Sequence, residues 1–122
     1  MPFNLNPDSR IPIYIQLKEA IKLAIATGKF LPGSQLPTVR QLAVQLKINA
    51  NTVSRVYLEL ESEGVLASRQ GKGTFVKERP EIDTNMKENT LNDLLDDLII
   101  KVSALGFSST ELLKALEKKL KE

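Results

Sequence analysis

Residues 38–64 read TVRQLAVQLKINANTVSRVYLELESEG, and the fold turns on how this stretch divides. "TVRQ" fits a capping box, with Thr38 capping the third backbone N–H and Gln41 reaching back. Leu42, Ala43 and Leu46 then share one face, but the pattern breaks near "KIN", so this helix is short. Asn49 is a good N-cap for the next helix, whose inward stripe is Val53, Val56, Tyr57 and Leu60 and whose end is Gly64. On a helical wheel Asn51, Arg55, Leu58 and Ser62 point away from that stripe, with Ser54 at its edge. The first turns of this second helix hold amides, hydroxyls and one guanidinium but no acid. A helix N-terminus ordinarily favours Asp or Glu, because the macrodipole is positive there.

Working outward, residues 12–27 carry Tyr14, Leu17, Ile21, Ala24 and Ile25 at helical spacing, with Pro12 suited to the first turn and Gly28 a stop. A Pro-Gly turn in "KFLPGSQLP" separates that helix from Thr38. On the other side, "VLASR" and "GTFVK" are two short β-like runs around "QGKG", which reads as a hairpin. The order helix, short helix, tight turn, helix, hairpin is that of a winged helix-turn-helix. In such proteins the second helix of the motif enters the major groove and its N-terminal residues touch base edges. The missing acids then make sense, since a carboxylate there would face the dense negative charge of the duplex. Glu59, Glu61 and Glu63 come only in later turns. Asn pairs with adenine, Arg with guanine, and Thr and Ser with phosphates or bases; the helix start also offers backbone N–H groups to a phosphate. Taken singly each residue has a plainer reading: Asn49 as a cap, Arg55 as an i,i+4 partner of Glu59, Lys72 as an ordinary hairpin residue. The signal is in their order and spacing.

The totals agree. The chain of 122 residues has no Cys and no His, which removes disulfides, thiolate nucleophiles, imidazole bases and most zinc sites together. No cofactor or metal site is expected. Acidic neighbours such as Asp96 and Asp97 do not converge on a helix, and no nucleophile–base pair is available, so an enzyme is not expected. "MPFNLNPDSR" lacks an apolar leader, and no apolar run approaches a membrane span; a cytoplasmic protein fits. Residues 1–79 carry 11 Lys/Arg against 6 Asp/Glu, and residues 80–122 carry 6 against 9. A basic front and an acidic back suggest two jobs, with the front facing a polyanion.

Three segments in combination resemble the DNA-binding domain of the GntR family of bacterial transcription regulators: G-x-x-x-P-G-x-x-L-P-T-x-R-x-L-A at 28–43, N-x-N-T-V-x-R-x-Y-x-x-L-E-x-E-G at 49–64 and R-x-G-x-G-T-F-V at 69–76. The resemblance covers residues 10–77, the expected winged helix-turn-helix domain. It implies DNA contacts from Arg40 with Thr38 nearby on the backbone, from Asn49, Asn51, Thr52, Ser54 and Arg55 at the start of the recognition helix, and from Gly71, Lys72 and Gly73 in the wing. Ala50 departs from the pattern, because relatives often carry Arg or Pro there.

Residues 78–90, polar and with one proline, read as a linker. In residues 91–121, Leu91, Leu94, Leu95, Leu98, Val102 and Leu105 form a stripe on one helix. Gly106 closes it, and "SSTE" at 108–111 is a second capping box opening a helix with Leu112, Leu113, Leu116 and Leu120. The expected fold is mainly α: a winged helix-turn-helix followed by a C-terminal αα-hairpin. Large tails in this family bind acids, sugars or a pyridoxal cofactor, but two helices cannot enclose a metabolite-sized pocket. Leucine stripes left in water call for a partner. The short tail resembles the YtrA-type subfamily, which dimerises through it and commonly represses ABC-transporter operons. The expectation is therefore a homodimeric repressor on a near-palindromic double-stranded operator, with Leu91, Leu94, Leu95, Leu98, Val102, Leu105, Leu112 and Leu116 at the dimer contact. The competing expectation is a winged-helix adaptor that binds proteins. The sequence leaves open the operator, the target genes, repression against activation, and whether a small-molecule effector exists.

Overall fold

The structure, a computed structural model, describes residues 3–83 and 85–122. Met1 and Pro2, at the head of the stretch read as lacking a leader, and Thr84, within the expected linker, lie outside the described residues. The chain divides into two compact units, Met1–Met86 and Lys87–Glu122.

In the first unit α1 spans Ile13–Ala26, α2 Val39–Leu46, α3 Ala50–Ser62, β1 Leu66–Arg69 and β2 Gly73–Val76. Pro12 is the N-cap of α1 rather than its first helical residue. Its carbonyl accepts from the N–H groups of Ile15 and Gln16, both at 3.1 Å, and its own missing N–H costs nothing there. The expected capping box of α2 is present in both directions: Gln41 N donates to Thr38 Oγ1 at 3.1 Å and Thr38 N to Gln41 Oε1 at 2.9 Å. The tight turn after α2 is made by Lys47, which takes a left-handed conformation with φ 57. Asn49 then caps α3, accepting from Asn51 N at 2.8 Å.

Apolar stripes of the three helices meet in one core. Leu17 and Ile21 of α1, Leu42 of α2 and Val53, Val56 and Leu60 of α3 are fully buried, together with Val65, Leu66 and Val76 of the hairpin. Tyr57 is buried too, and its hydroxyl donates to the Pro37 carbonyl at 2.7 Å, pinning α3 to the residue before the α2 cap. Burial pushes its pKa well up, so it remains a donor.

β1 and β2 pair antiparallel, Leu66 opposite Val76 and Arg69 opposite Gly73. The Pro-Gly loop before α2, which in the sequence is only a break in pattern, is a third rail for this hairpin. Gly33 N donates to Val76 O, Val76 N to Ser34 O and Leu36 N to Thr74 O, at 2.8–2.9 Å, and Gln35 bridges Phe75. Glycine suits position 33, where φ is 80.

Two details of the 78–90 stretch differ from a featureless connection. Ile82 packs against the core of the first unit, and helix α4 begins at Met86, running Met86–Ala104. The polar composition hid both, since one isoleucine suffices to dock a segment and helix-forming Lys87 and Glu88 need no stripe.

In the second unit Ser108 and Glu111 form the expected capping box of α5, Ser109–Leu120. No residue of α4 or α5 is buried. The two helices do not lie close along their length; the residues that share a cleft, Val102, Phe107, Glu111, Leu112 and Ala115, stand beside the turn. The hairpin is thus open, and its apolar surface is wider than the sequence stripes: Ile99, Ile100 and Phe107 are exposed as well. No helix among the described residues is long and apolar enough to cross a membrane.

Candidate nucleic-acid interface

The start of α3 is built as its sequence suggests. Its first turn holds no acid, and Asn49, Asn51 and Arg55 are exposed while Thr52 and Ser54 are half-buried at the flanks. The three later acids are each engaged inside the domain. Glu59 pairs with Arg55 at 3.5 Å and Lys18 at 3.7 Å. The Glu61 carboxylate accepts from Ser68 N at 3.3 Å and from Ser68 Oγ at 3.1 Å, tying α3 to β1. Glu63 pairs with Lys18 and, at 3.0 Å, with Lys22. The hydrogen bond between Lys18 and Glu63 raises the lysine pKa and lowers that of the carboxyl. Lysines of α1 therefore pair with Glu59 and Glu63, while Glu61 is held by hydrogen bonds from the hairpin.

The wing lies against the α2 N-terminus. Gln35 Nε2 donates to the Lys72 carbonyl at 2.7 Å, and Gln35, Thr38, Gly71, Lys72 and Gly73 line one open cleft. Gly71 and Gly73 both have positive φ, 75 and 118, which a side chain would resist; at Gly73 a Cβ would also strike the Gln35 amide. Thr38 and the wing glycines are thus brought together. Arg40 stands apart from that cleft, exposed on α2 beside Gln41, Val44 and Gln45.

Three residues beside the site were not singled out for it in the sequence. Arg69 is exposed at the wing, its guanidinium carbon 4.8 Å from the Phe75 ring centroid. The hairpin register makes these two diagonal neighbours, so this contact was within reach of the sequence. Gln35 holds the wing from 37 residues away. Tyr14 lies under Arg55, whose guanidinium carbon is 3.6 Å from its ring centroid. Nothing local in the sequence signals either of the last two.

A basic, acid-free helix start, a short capped helix before it and a two-stranded wing beside it define a winged helix-turn-helix DNA-binding module. Similarity to known proteins gives the particular family. Residues 13–76 match the model of the bacterial regulatory proteins of the gntR family, and the chain belongs to the GntR family of transcription regulators. It is 35% identical over 106 residues to the HTH-type transcriptional regulator YhcF of Bacillus subtilis, covering 87% of this chain and 88% of the relative. It is 35% identical over 109 residues to the HTH-type transcriptional repressor YtrA of the same organism, covering 88% and 84%. Among solved structures, AraR(DBD) in complex with operator ORX1 superposes with a TM-score of 0.54 at 39% identity, covering 60% of this chain and 90% of that one. The relatives are transcription regulators, not enzymes.

Proposed function

We propose that the protein is a homodimeric repressor that binds a near-palindromic DNA operator. The observation that carries this reading is the start of α3: exposed Asn49, Asn51 and Arg55 on a helix with no acid in its first turn. In this reading Asn51, Ser54 and Arg55 face base edges, Thr52 and the α3 N-terminus face phosphates, and Thr38, Arg40, Gly71, Lys72 and Gly73 hold the backbone on either side. Repression is supported by the relative YtrA, itself a transcriptional repressor. An operator partner is supported by the AraR DNA-binding domain, whose structure is a complex with operator ORX1. A transporter operon is the target suggested by the YtrA-type resemblance.

The homodimer rests on the second unit. Leu91, Leu94, Leu95, Leu98 and Leu105 stand in water in a single chain, and Val102, Leu112 and Leu116 are only half covered. A second copy offers the same faces and would bury them, while two-fold symmetry sets half-sites about 10 base pairs apart, one helical turn.

The test is a gel-shift titration on the tightest duplex recovered from a random-sequence pool, at rising salt, against a scrambled duplex of equal composition. The expected result is preference for the selected duplex and an affinity that falls steeply with salt. Equal binding to scrambled DNA, or indifference to salt, overturns the reading.

A further inference from the structure

Arg55 is a long, flexible side chain on the exposed face of the α3 start, and it is not left to wander. Its guanidinium carbon sits 3.6 Å from the centroid of Tyr14 on α1, in the range of a cation–π stack. Its Nε lies 3.5 Å from Glu59 Oε1, one turn along α3. The other Glu59 oxygen lies 3.7 Å from Lys18, one turn along α1 from Tyr14. Two i,i+4 pairs, Tyr14 with Lys18 and Arg55 with Glu59, therefore face each other across the α1–α3 packing. Lys18 is shared between Glu59 and the nearer Glu63, so it offsets the Glu59 charge in part. The side chain stays half exposed, with 54% of its surface in solvent.

We propose that Tyr14 is a positioning residue for DNA recognition: its ring, with Glu59, fixes the Arg55 guanidinium in a set direction before DNA arrives. This rests on the reading of α3 as the DNA-contacting helix. The physical gain is preorganisation. An arginine that is already stacked loses less rotamer freedom on binding, and the planar guanidinium presents its remaining N–H groups along a fixed direction. Tyr14 itself need not touch DNA.

The experiment is a double-mutant cycle in the full chain, read as affinity for the tightest duplex recovered by the wild type from a random-sequence pool. Tyr14→Leu keeps an apolar side chain against the core but removes the π face, and Tyr14→Phe keeps the face. Tyr14→Leu is expected to weaken binding about 3- to 10-fold and Tyr14→Phe by less than about twofold, with matching thermal midpoints. In an Arg55→Ala background, Tyr14→Leu should cost almost nothing further. An equal cost with and without Arg55 overturns the proposal, because Tyr14 then acts through the fold alone. So does an Arg55→Ala chain that binds like the wild type. If Tyr14→Leu fails to fold, the Arg55 Nε–H resonance of the free wild type decides the matter: a ring-current-shifted signal supports the stack, and an averaged, unshifted one overturns it. A wild type with no preference over scrambled DNA would strike the DNA reading itself; preference retained with an additive cycle strikes only the role of Tyr14.

Discussion

The two units of this chain solve opposite problems with a similar share of apolar residues. Met1–Met86 closes on itself: nine large side chains from three helices and a hairpin are fully buried. Lys87–Glu122 carries leucine stripes too, yet no residue of α4 or α5 is buried. Periodicity states which face of a helix wants to leave water, but not what will cover it. In the first unit the cover is supplied by the chain itself. In the second no residue of either helix is buried within the chain, and the proposed second copy would supply the cover.

The largest effect should fall on the self-contained unit. Leu60→Ala removes a side chain at the meeting point of α3 with the rest of the core and is expected to cost about 2–5 kcal/mol, read by chemical denaturation at fixed protein concentration. A loss under about 1 kcal/mol would mean that the core is less tightly filled than its burial implies. The second unit should respond to a charge instead. Leu94→Asp, at a position 61% exposed in the single chain, is expected to raise the dimer dissociation constant by two decades or more, about 3 kcal/mol, in sedimentation equilibrium. The near-neutral outcome of an ordinary surface substitution would erase the contrast between the units.

Finer tests lie within the first unit. Tyr57→Phe removes the hydrogen bond to Pro37 O and should cost about 1 kcal/mol in denaturation, with a weaker grip on DNA as the α2 start loosens. The smallest effect is in the pH profile of stability. Glu63 has its pKa lowered from 4.5, first by the hydrogen bond from Lys18. Its contribution is therefore present above 4.5 and lost as pH falls through the folded value. Lys18, raised from 10.5 by the same bond, contributes below 10.5 and loses that contribution as pH rises through its folded value. Glu63→Gln should flatten the acid limb of the melting-temperature profile by lowering the neutral plateau, while leaving stability in acid, where Glu63 is protonated, nearly unchanged. An unchanged acid limb would show that this ion pair does not differ between folded and unfolded chains.

What the sequence disclosed follows from range. Thr38, Gln41, Asn49, Ser108 and Glu111 act within a turn of themselves, so their caps could be read directly. The core stripes were equally legible, because any globular packing would use them. The rail formed by Gly33–Leu36 along β2, the Gln35 grip on Lys72 and the Tyr14 stack under Arg55 join distant segments. No local pattern encodes such partners. The early start of α4 was missed for a different reason: Met86–Thr90 form helix without presenting a stripe.

The two N-caps of the helix-turn-helix have a consequence in the currency of lone pairs and protons. Thr38 Oγ1 accepts from Gln41 N, and Asn49 Oδ1 accepts from Asn51 N. In each case the helix engages the oxygen of the cap, while the hydroxyl proton and the amide NH2 remain the outward chemistry of those side chains. Capping therefore gives this surface a hydrogen-bonding polarity. Its outward protons are matched to phosphate oxygens, which only accept and which the proposed DNA partner would present. The same two bonds that start the helices also select the kind of surface on which they can rest.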